Sequence, residues 1–245
     1  TAGEKPVREF ASQLMVTIPL DGGKIENAKR VIACVYDEAS GSWQPVGGVT
    51  DELRGTVTFG TRHFSSYAAF EKEMHFDDVT SSWAKEKVEI LASRRLINGV
   101  SNTAFNPEGS ITRAEFAAML VRSLYGKLSK SKGTFADVAA GSWYADSVET
   151  AYELGLVTGI SENSFGPDVK INREQLAVMA YRLYQYKKNT GTVNSFNNTY
   201  ADYKDISSYA KVAAGFAAKA GIMTGSGGRF EPRRSATRQE AAVVL

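Results

Sequence analysis

Residues 76–245 contain three copies of one sequence unit, and this internal repeat constrains the fold more than any other feature. Each copy starts with an aromatic and an acidic residue, passes through a helical stretch to a glycine, and reaches a Phe-x-Pro segment. Each copy then closes on a helix start that contains an arginine. Successive arginines, Arg113, Arg173 and Arg238, lie 60 and 65 residues apart. Repeats of this kind usually bury their apolar faces against one another, so we expect one shared core.

Each copy predicts two helices joined by a loop. In the first copy, Ser82 can cap a helix, and Gly99 fits the position just after the end of that helix. A second helix follows Thr112 and places Phe116 and Leu120 on one face. The other copies show the same spacing, and we interpret these apolar stripes as core.

The start of each second helix fits a capping box, in which the first and fourth side chains satisfy two backbone N–H groups. These units are residues 112–115, 172–175 and 237–240. Their second residue is arginine, a cation that opposes the helix macrodipole at a cost of about 0.3–1 kcal/mol. Free N–H groups at a helix start attract anions, and an arginine fork suits a carboxylate. We therefore interpret the arginines as an anion-binding signal; the alternative is a salt bridge to the neighbouring copy.

The pattern Phe-x-Asp-Val, Trp-Ala, Gly, Phe-x-Pro and Ile-Thr-Arg-Ala-Glu-Phe in residues 76–116 resembles the S-layer homology (SLH) domain. This domain typically occurs as three tandem copies in surface proteins of Gram-positive bacteria. The resemblance covers about 170 of the 245 residues. It implies repeats at 75–130, 131–196 and 197–245. The implied fold is an all-α three-repeat pseudo-trimer with a central helical bundle and grooves between the repeats.

The resemblance also implies a function, non-covalent anchoring to the cell wall. The implied partner is a secondary cell-wall polysaccharide, often ending in pyruvylated N-acetylmannosamine, whose pyruvate ketal carries a carboxylate. The arginines would clamp that carboxylate, acidic residues would accept from sugar hydroxyls, aromatic rings would cover the sugar, and glycines would let the loop approach it. The implied carbohydrate-binding residues are Arg113, Arg173, Arg238, Asp78, Asp137, Asp205, Trp83, Trp143, Tyr209, Gly99, Gly159 and Gly225.

Two copies depart from the family pattern. In copy two, Gln175 replaces the usual Glu, so the capping box keeps its geometry and loses a charge. In copy three, Tyr209 replaces Trp and Asp205 matches less closely, so we rank that groove lowest. The alternatives are purely structural roles: the acidic residues cap turns, the Trp residues are part-buried packing anchors, and the glycines only supply positive φ.

Residues 1–74 predict a small antiparallel β domain, which can be the end of a larger sandwich. Stretches 13–18, 30–36 and 55–59 are rich in β-branched residues and are separated by turn residues. So small a unit buries little surface, and we expect it to lean on the first repeat. The segment His63-Phe64-Ser65 resembles the end of self-cleaving ZU5/GAIN-like domains, where Ser attacks the preceding peptide bond with His as base.

Three functions therefore remain open: wall anchoring, S-layer-type self-assembly or protein–protein interaction, and self-cleavage before Ser65. The repeat region, residues 76–245, has 21 Lys and Arg against 17 Asp and Glu, and this charge of +4 suits an anionic polymer but not a nucleic acid. The sequence shows no apolar run of 18 residues and no signal peptide, so we expect no membrane span. An export signal would have been removed or lie outside these residues.

The sequence predicts no enzyme. The two histidines, His63 and His75, have no metal-binding spacing, and no nucleophile elbow or phosphate loop is present, so we expect no catalytic residue, metal or cofactor. The single cysteine, Cys34, allows no internal disulfide and is expected to be an inert core thiol. The expected fold class is multidomain α and β. The protein is expected to be secreted and to be located in the cell wall or S-layer.

Overall fold

A computed structural model describes residues 9–125, 128–189 and 200–245. Residues 9–71 form six strands in two three-stranded antiparallel sheets. The strands are β1 (Glu9–Pro19), β2 (Val31–Asp37), β3 (Ser42–Gly47), β4 (Val49–Asp51), β5 (Thr56–His63) and β6 (Tyr67–Glu71). The first sheet has the order β1-β5-β4 and the second the order β3-β2-β6. The predicted strand at 13–18 lies within β1, and those at 30–36 and 55–59 each begin one residue before β2 and β5.

The sequence analysis missed β3 because Pro45 and Gly47 resemble turn residues. Proline cannot donate to a sheet ladder, but β3 is an edge strand, where a missing N–H is tolerated. The two sheets share a small apolar core around Val31, Val57 and Phe59. Cys34 is buried in β2, and burial raises the pKa of its thiol, in agreement with the expected core position.

Among the described residues, the repeat region contains six helices and three short 3-10 turns, and a fourth 3-10 turn lies in the β region. The helices are α1 (Lys85–Ser93), α2 (Arg113–Arg122), α3 (Ala145–Glu153), α4 (Arg173–Lys188), α5 (Lys211–Lys219) and α6 (Arg238–Val243). The 3-10 turns are Ala28–Arg30, at the start of β2, and Asp77–Val79, Tyr203–Asp205 and Ser208–Ala210. All three predicted capping boxes are present, at the starts of α2, α4 and α6. None of the helices among the described residues has the length and apolarity needed to cross a membrane.

The expected all-α repeat region is wrong, since the structure is mixed, with about 32% helix and 21% strand. The extended segment before each second helix pairs with its counterpart in a neighbouring repeat. These antiparallel bridges are Ser110 with Thr237, Thr112 with Lys170, and Asn172 with Ser235. Buried backbone N–H and C=O groups need partners, and in these segments the neighbouring repeat supplies them.

A closed ring of backbone hydrogen bonds lies where the central helical bundle was expected. The Ile111 amide donates to the Ala236 carbonyl (3.1 Å), the Ala236 amide to Ile171 (2.9 Å), and the Ile171 amide to Ile111 (3.1 Å). All three residues are fully buried. Around this ring, each second helix packs against the first helix of the next repeat: α2 on α3, α4 on α5, and α6 on α1. The repeats therefore form a cycle rather than a row.

The β region docks on the first repeat, as its small size led us to expect. The ring of Tyr125 fills the space beside Gly47, whose φ of +89° and tight packing leave no room for a side chain. Arg30 bridges the two regions through Glu73 (2.6 Å) and the nearly buried Glu89 (3.5 Å). These contacts hold the β region against α1 and the loop after α2.

Candidate functional site

The three arginines at the second-helix starts reach across to the next repeat. All are buried, with exposures of 5–8%. Each Nε donates to the carbonyl of the phenylalanine in the next Phe-x-Pro segment, and each guanidinium lies 4.8–5.3 Å from that ring's centroid. The pairs are Arg113 with Phe165 (2.8 Å), Arg173 with Phe230 (2.7 Å) and Arg238 with Phe105 (2.9 Å). The arginines therefore join the repeats, whatever else they bind.

The expected free N–H groups at these helix starts are not free. The Arg113 amide donates to the Val169 carbonyl (2.9 Å), and the Ala114 amide donates to Pro167 (3.1 Å). The cap side chain of Thr112 takes the third amide, and α4 and α6 repeat the arrangement. An anion in this region would therefore meet the guanidinium groups rather than the helix N-termini.

Three equivalent grooves lie between the repeats, and we name each by its arginine. The Arg113, Arg173 and Arg238 grooves have volumes of about 310, 380 and 220 Å³. In each groove, the arginine comes from one repeat, the glycine loop from the next and an aromatic ring from the third. The glycines are, in the same order, Gly159, Gly225 and Gly99, and the aromatic residues are Tyr209, Trp83 and Trp143.

The three aromatic side chains are open to solvent rather than packed. Trp83 is 65% exposed, Trp143 is 62% exposed and Tyr209 is 58% exposed. The alternative of part-buried packing anchors fits these side chains poorly, although the Trp143 ring contacts the Tyr144 ring edge to face (5.3 Å between centroids). Large exposed apolar rings beside a polar groove are typical of interaction sites.

The Tyr209 ring is held in place by the adjacent repeat. Its hydroxyl donates to Glu174 (3.0 Å), a fully buried carboxylate that also accepts from Arg233 (2.6 Å) and Ser207. Burial, followed by the Glu174 hydrogen bond and charge, raises the pKa of Tyr209 to about 12. The ring therefore stays neutral and points in a fixed direction.

The acidic residues of the first two repeats hold the Phe-x-Pro loops. The Asp78 carboxylate accepts from the amides of Phe105 (2.8 Å) and Asn106 (2.6 Å). Asp137 accepts from the amide of Phe165 (2.7 Å) in the same way. Neither carboxylate is among the residues that line the grooves. Their geometry corresponds to the turn-capping alternative, and they position the carbonyls that the arginines bind.

In the third repeat, the acidic residue that holds the Phe-x-Pro loop is Asp202 rather than Asp205, which the sequence analysis had matched to this position. Asp202 is buried and accepts from the amides of Phe230 and Glu231, both at 2.8 Å. The spacing could have revealed it: Asp202 lies 36 residues before Arg238, as Asp137 lies before Arg173, whereas Asp205 lies 33 residues before it.

The glycines make room for the groove loops. The predicted helix-end role of Gly99 is wrong, because α1 ends at Ser93 and Arg95 takes the left-handed conformation (φ 58°). A Cβ on Gly99 would lie 2.4 Å from the Ser101 carbonyl oxygen, and one on Gly159 would lie 2.3 Å from the equivalent oxygen. The loop backbone folds back on itself there, which only glycine permits.

Sequence analysis missed a second set of groove cations. Arg122 lines the Arg238 groove, and Arg182 lines the Arg113 groove. Each lies nine residues after the arginine that starts its helix, so helical spacing could have found both. In the third groove the second cation is Arg234, from the Phe-x-Pro loop.

The salt-bridge alternative holds for two of the three helix-start arginines. Arg238 Nη1 donates to Glu115 (2.9 Å), and Arg173 pairs with Glu240. Burial raises the pKa of Glu240, but hydrogen bonds from Arg234 and a backbone amide, with the charge of Arg173, outweigh it and keep this pKa low.

No metal site is apparent in the described parts of the chain, where His, Cys, Asp and Glu form no group of three or more suited to an ion. At the end of β5, His63 Nδ1 lies 3.1 Å from Ser65 Oγ and 3.4 Å from the Tyr67 hydroxyl, which donates to the His63 carbonyl (2.8 Å). The intervening Phe64 is 69% exposed. A hydroxyl and a base are thus within reach of each other in a solvent-exposed turn.

Comparison with known proteins identifies the family. A model of the S-layer homology domain matches residues 75–117, 134–177 and 199–242, so the chain belongs to the S-layer homology domain family. The chain is 38% identical over 231 residues to an amylopullulanase of Thermoanaerobacterium thermosulfurigenes, covering 94% of this chain and 12% of that protein. It is 36% identical over 226 residues to exoglucanase XynX of Acetivibrio thermocellus, covering 90% of this chain and 20% of that protein. A surface-layer 125 kDa protein of Lysinibacillus sphaericus is 30% identical over 169 residues, covering 67% of this chain and 14% of that protein.

These matches confirm the three predicted SLH repeats and their place in a secreted protein of the cell wall or S-layer. The chain spans only 12–20% of the length of these relatives. The matched repeats begin at residue 75, so the resemblance of the β region to ZU5/GAIN-like domains gains no support, and self-cleavage stays a prediction. The exact boundaries between repeats also stay predictions.

Proposed function

We propose that this chain anchors a larger surface protein to the cell wall by binding an acidic secondary cell-wall polysaccharide in the grooves between its repeats. The observation that carries the proposal is the composition of the grooves. Each brings together a buried guanidinium, a glycine loop and an exposed aromatic ring from three different repeats. An aromatic face, a cation and backbone polar groups are the groups that an acidic sugar requires.

The proposed ligand is a sugar that carries a carboxylate, such as the pyruvate ketal of N-acetylmannosamine. A guanidinium forms strong, directional hydrogen bonds with a carboxylate. Its binding is strengthened where the cation is partly shielded from water, and the groove arginines are 5–8% exposed. The exposed ring then covers the apolar face of the sugar.

The aromatic rings offer the cleanest test, because their exposure lets them be removed without disturbing the core. We expect the triple variant Trp83→Ala, Trp143→Ala and Tyr209→Ala, which removes the ring of every groove, to weaken binding of purified wall polysaccharide about tenfold, or about 1.4 kcal/mol. Tyr186→Ala removes a comparably exposed ring (48%) that lies outside the grooves and should leave affinity unchanged. Binding is measured by co-sedimentation with native and chemically depyruvylated polymer.

Unchanged binding by the triple variant, with the circular dichroism spectrum preserved, would contradict the proposed site. Equal binding of native and depyruvylated polymer would remove the carboxylate from the proposal. The first result concerns the position of the site and the second concerns the chemistry of the ligand, so each can be interpreted without the other.

Catalysis is not proposed for the repeats. Several relatives are named as glycosidases, but this chain matches only a small share of each, so their activities can belong to other parts of those proteins. Self-association in a surface lattice remains a second candidate, favoured by the match to a surface-layer protein. Light scattering that rises with protein concentration in the absence of polysaccharide would support self-association.

A further inference from the structure

The Arg113 groove differs from the other two in the charge of the residue at the fourth position of the capping box. Glu115 in the Arg238 groove and Glu240 in the Arg173 groove each place a carboxylate against the helix-start arginine. In the Arg113 groove, the corresponding residue is Gln175. Its carbonyl oxygen accepts from the Asn172 amide (2.9 Å), so the capping box stays intact while the negative charge is absent.

This exchange leaves hydrogen-bond donors of the Arg113 groove without an acceptor among the described residues. Arg113 uses Nε for the Phe165 carbonyl and Nη2 for the Thr158 carbonyl (2.6 Å). Its Nη1, the atom with which Arg238 holds its glutamate, makes no hydrogen bond to any described residue. The Gln175 side-chain amide likewise donates to no described residue, since only its carbonyl oxygen is bonded.

A second cation adds to this imbalance. Arg182 lines the same groove, and among residues 9–125, 128–189 and 200–245 its side chain has neither an ion pair nor a hydrogen bond. Burial, and then the nearby positive charge of Arg182, lower the pKa of Arg113. The lining of this groove contains two arginines and no carboxylate.

In each of the other two grooves, a glutamate neutralises part of the arginine charge. The Arg173 groove contains two arginines and Glu240, which accepts from both Arg173 and Arg234 (2.5 Å). The Arg238 groove contains two arginines and Glu115. The formal charges are therefore +2 in the Arg113 groove and +1 in each of the others. A ligand carboxylate is repelled by a glutamate in the Arg173 and Arg238 grooves, whereas the lining of the Arg113 groove contains no carboxylate.

We propose that the Arg113 groove is the high-affinity site for a carboxylate-bearing sugar, and that Gln175 and Arg182 determine this preference. This rests on the proposed function, because the same class of acidic saccharide is the ligand. The sugar carboxylate supplies the negative charge that a glutamate supplies in the other two grooves, and it accepts from Arg113 Nη1 and Gln175 Nε2. Tyr209, fixed by Glu174, supplies the ring beside it.

The test is a calorimetric titration of the chain with pyruvylated N-acetylmannosamine. Wild type should bind one sugar per chain tightly. Gln175→Glu should lower this affinity at least tenfold, and Glu115→Gln should raise the stoichiometry towards two by opening the Arg238 groove. Both variants keep a capping box, since the chain builds one with either residue. Gln185→Glu adds the same charge to α4 outside the groove and should change neither value.

The outcomes separate the two proposals. If wild type binds pyruvylated N-acetylmannosamine and Gln175→Glu binds it equally well, the preference for the Arg113 groove is refuted while anchoring stands. An unchanged stoichiometry in Glu115→Gln also overturns the role assigned to the carboxylate. If wild type does not bind the sugar and does not bind wall polysaccharide, the proposed function itself fails.

Discussion

At the scale of single residues, the repeats are equivalent in backbone and unequal in side chains. The second residue of each second helix shows this. Glu174 and Gln239 hold Ser207 and Ser82 of the following repeat, at 3.1 and 2.6 Å between side chains. The third residue of the set is Ala114, which has no polar group to offer. The Ser142 hydroxyl of the following repeat is correspondingly buried and has no hydrogen-bond partner within the described parts of the chain.

We expect Ala114→Gln to stabilise the protein by about 0.5–1.5 kcal/mol, because it supplies a hydrogen bond to the buried Ser142 hydroxyl, which has none to any described residue. Urea denaturation measures the gain. The same change in a Ser142→Ala background should give no gain, because the hydroxyl is gone. An equal gain in both backgrounds would show that the stabilisation has another source.

At the scale of elements, the shape of the groove loops requires backbone segments within each loop to pass close to one another. The loop around Gly99 also presents the Asn98 carbonyl, which accepts from Arg238 Nη2 (2.9 Å). The Asp78 carboxylate fixes the Phe-x-Pro segment on the other side of the same arginine. The helix, the glycine loop and the Phe-x-Pro loop are thus connected through one guanidinium.

Gly99→Ala should destabilise the protein by about 1–3 kcal/mol, the usual cost of overpacking, because its Cβ would lie 2.4 Å from the Ser101 carbonyl oxygen. Thermal unfolding measures the loss. Gly22→Ala is the matched control, since nothing lies within 4 Å of its Cβ. Equal unfolding temperatures for the two variants would contradict the crowded loop.

At the scale of the whole molecule, the repeats close into a cycle, so every groove requires all three. Carboxylates help to hold this cycle together. Glu240 and Asp202 are both partly desolvated, which raises their pKa values, but their hydrogen bonds prevail and each pKa lies below its ordinary value. The folded state therefore binds protons less readily than the unfolded state at these residues.

Stability from these carboxylates is present above the unfolded-state pKa values near 4 and is lost as pH falls through the lower folded-state values. We expect the unfolding temperature to fall by several degrees between pH 6 and pH 3. Glu240→Gln should be less stable at pH 6 and show a weaker pH dependence. The exposed Glu38→Gln should follow wild type. A variant at Glu240 with the wild-type pH profile would exclude that carboxylate from the effect.

Much of the repeat region could be predicted from its sequence, because the features involved are local. Capping boxes, apolar helix faces and the spacing of the arginines depend on residues a few positions apart, and they correctly located the starts of α2, α4 and α6. The resemblance to the SLH domain rested on the same short motifs. The equivalence of Asp202 was also available from spacing and was missed through a looser local match.

What only the tertiary structure decided depends on partners far apart in the chain. The Ile111–Ala236–Ile171 ring, the burial of the helix-start amides and the carbonyls that hold each arginine all join different repeats. Sequence placed a glutamine at position 175, but its meaning depends on Arg113 and Arg182 sharing its groove. The physical reason is that charge and hydrogen-bond balance are properties of a site, and each site here is assembled from three repeats.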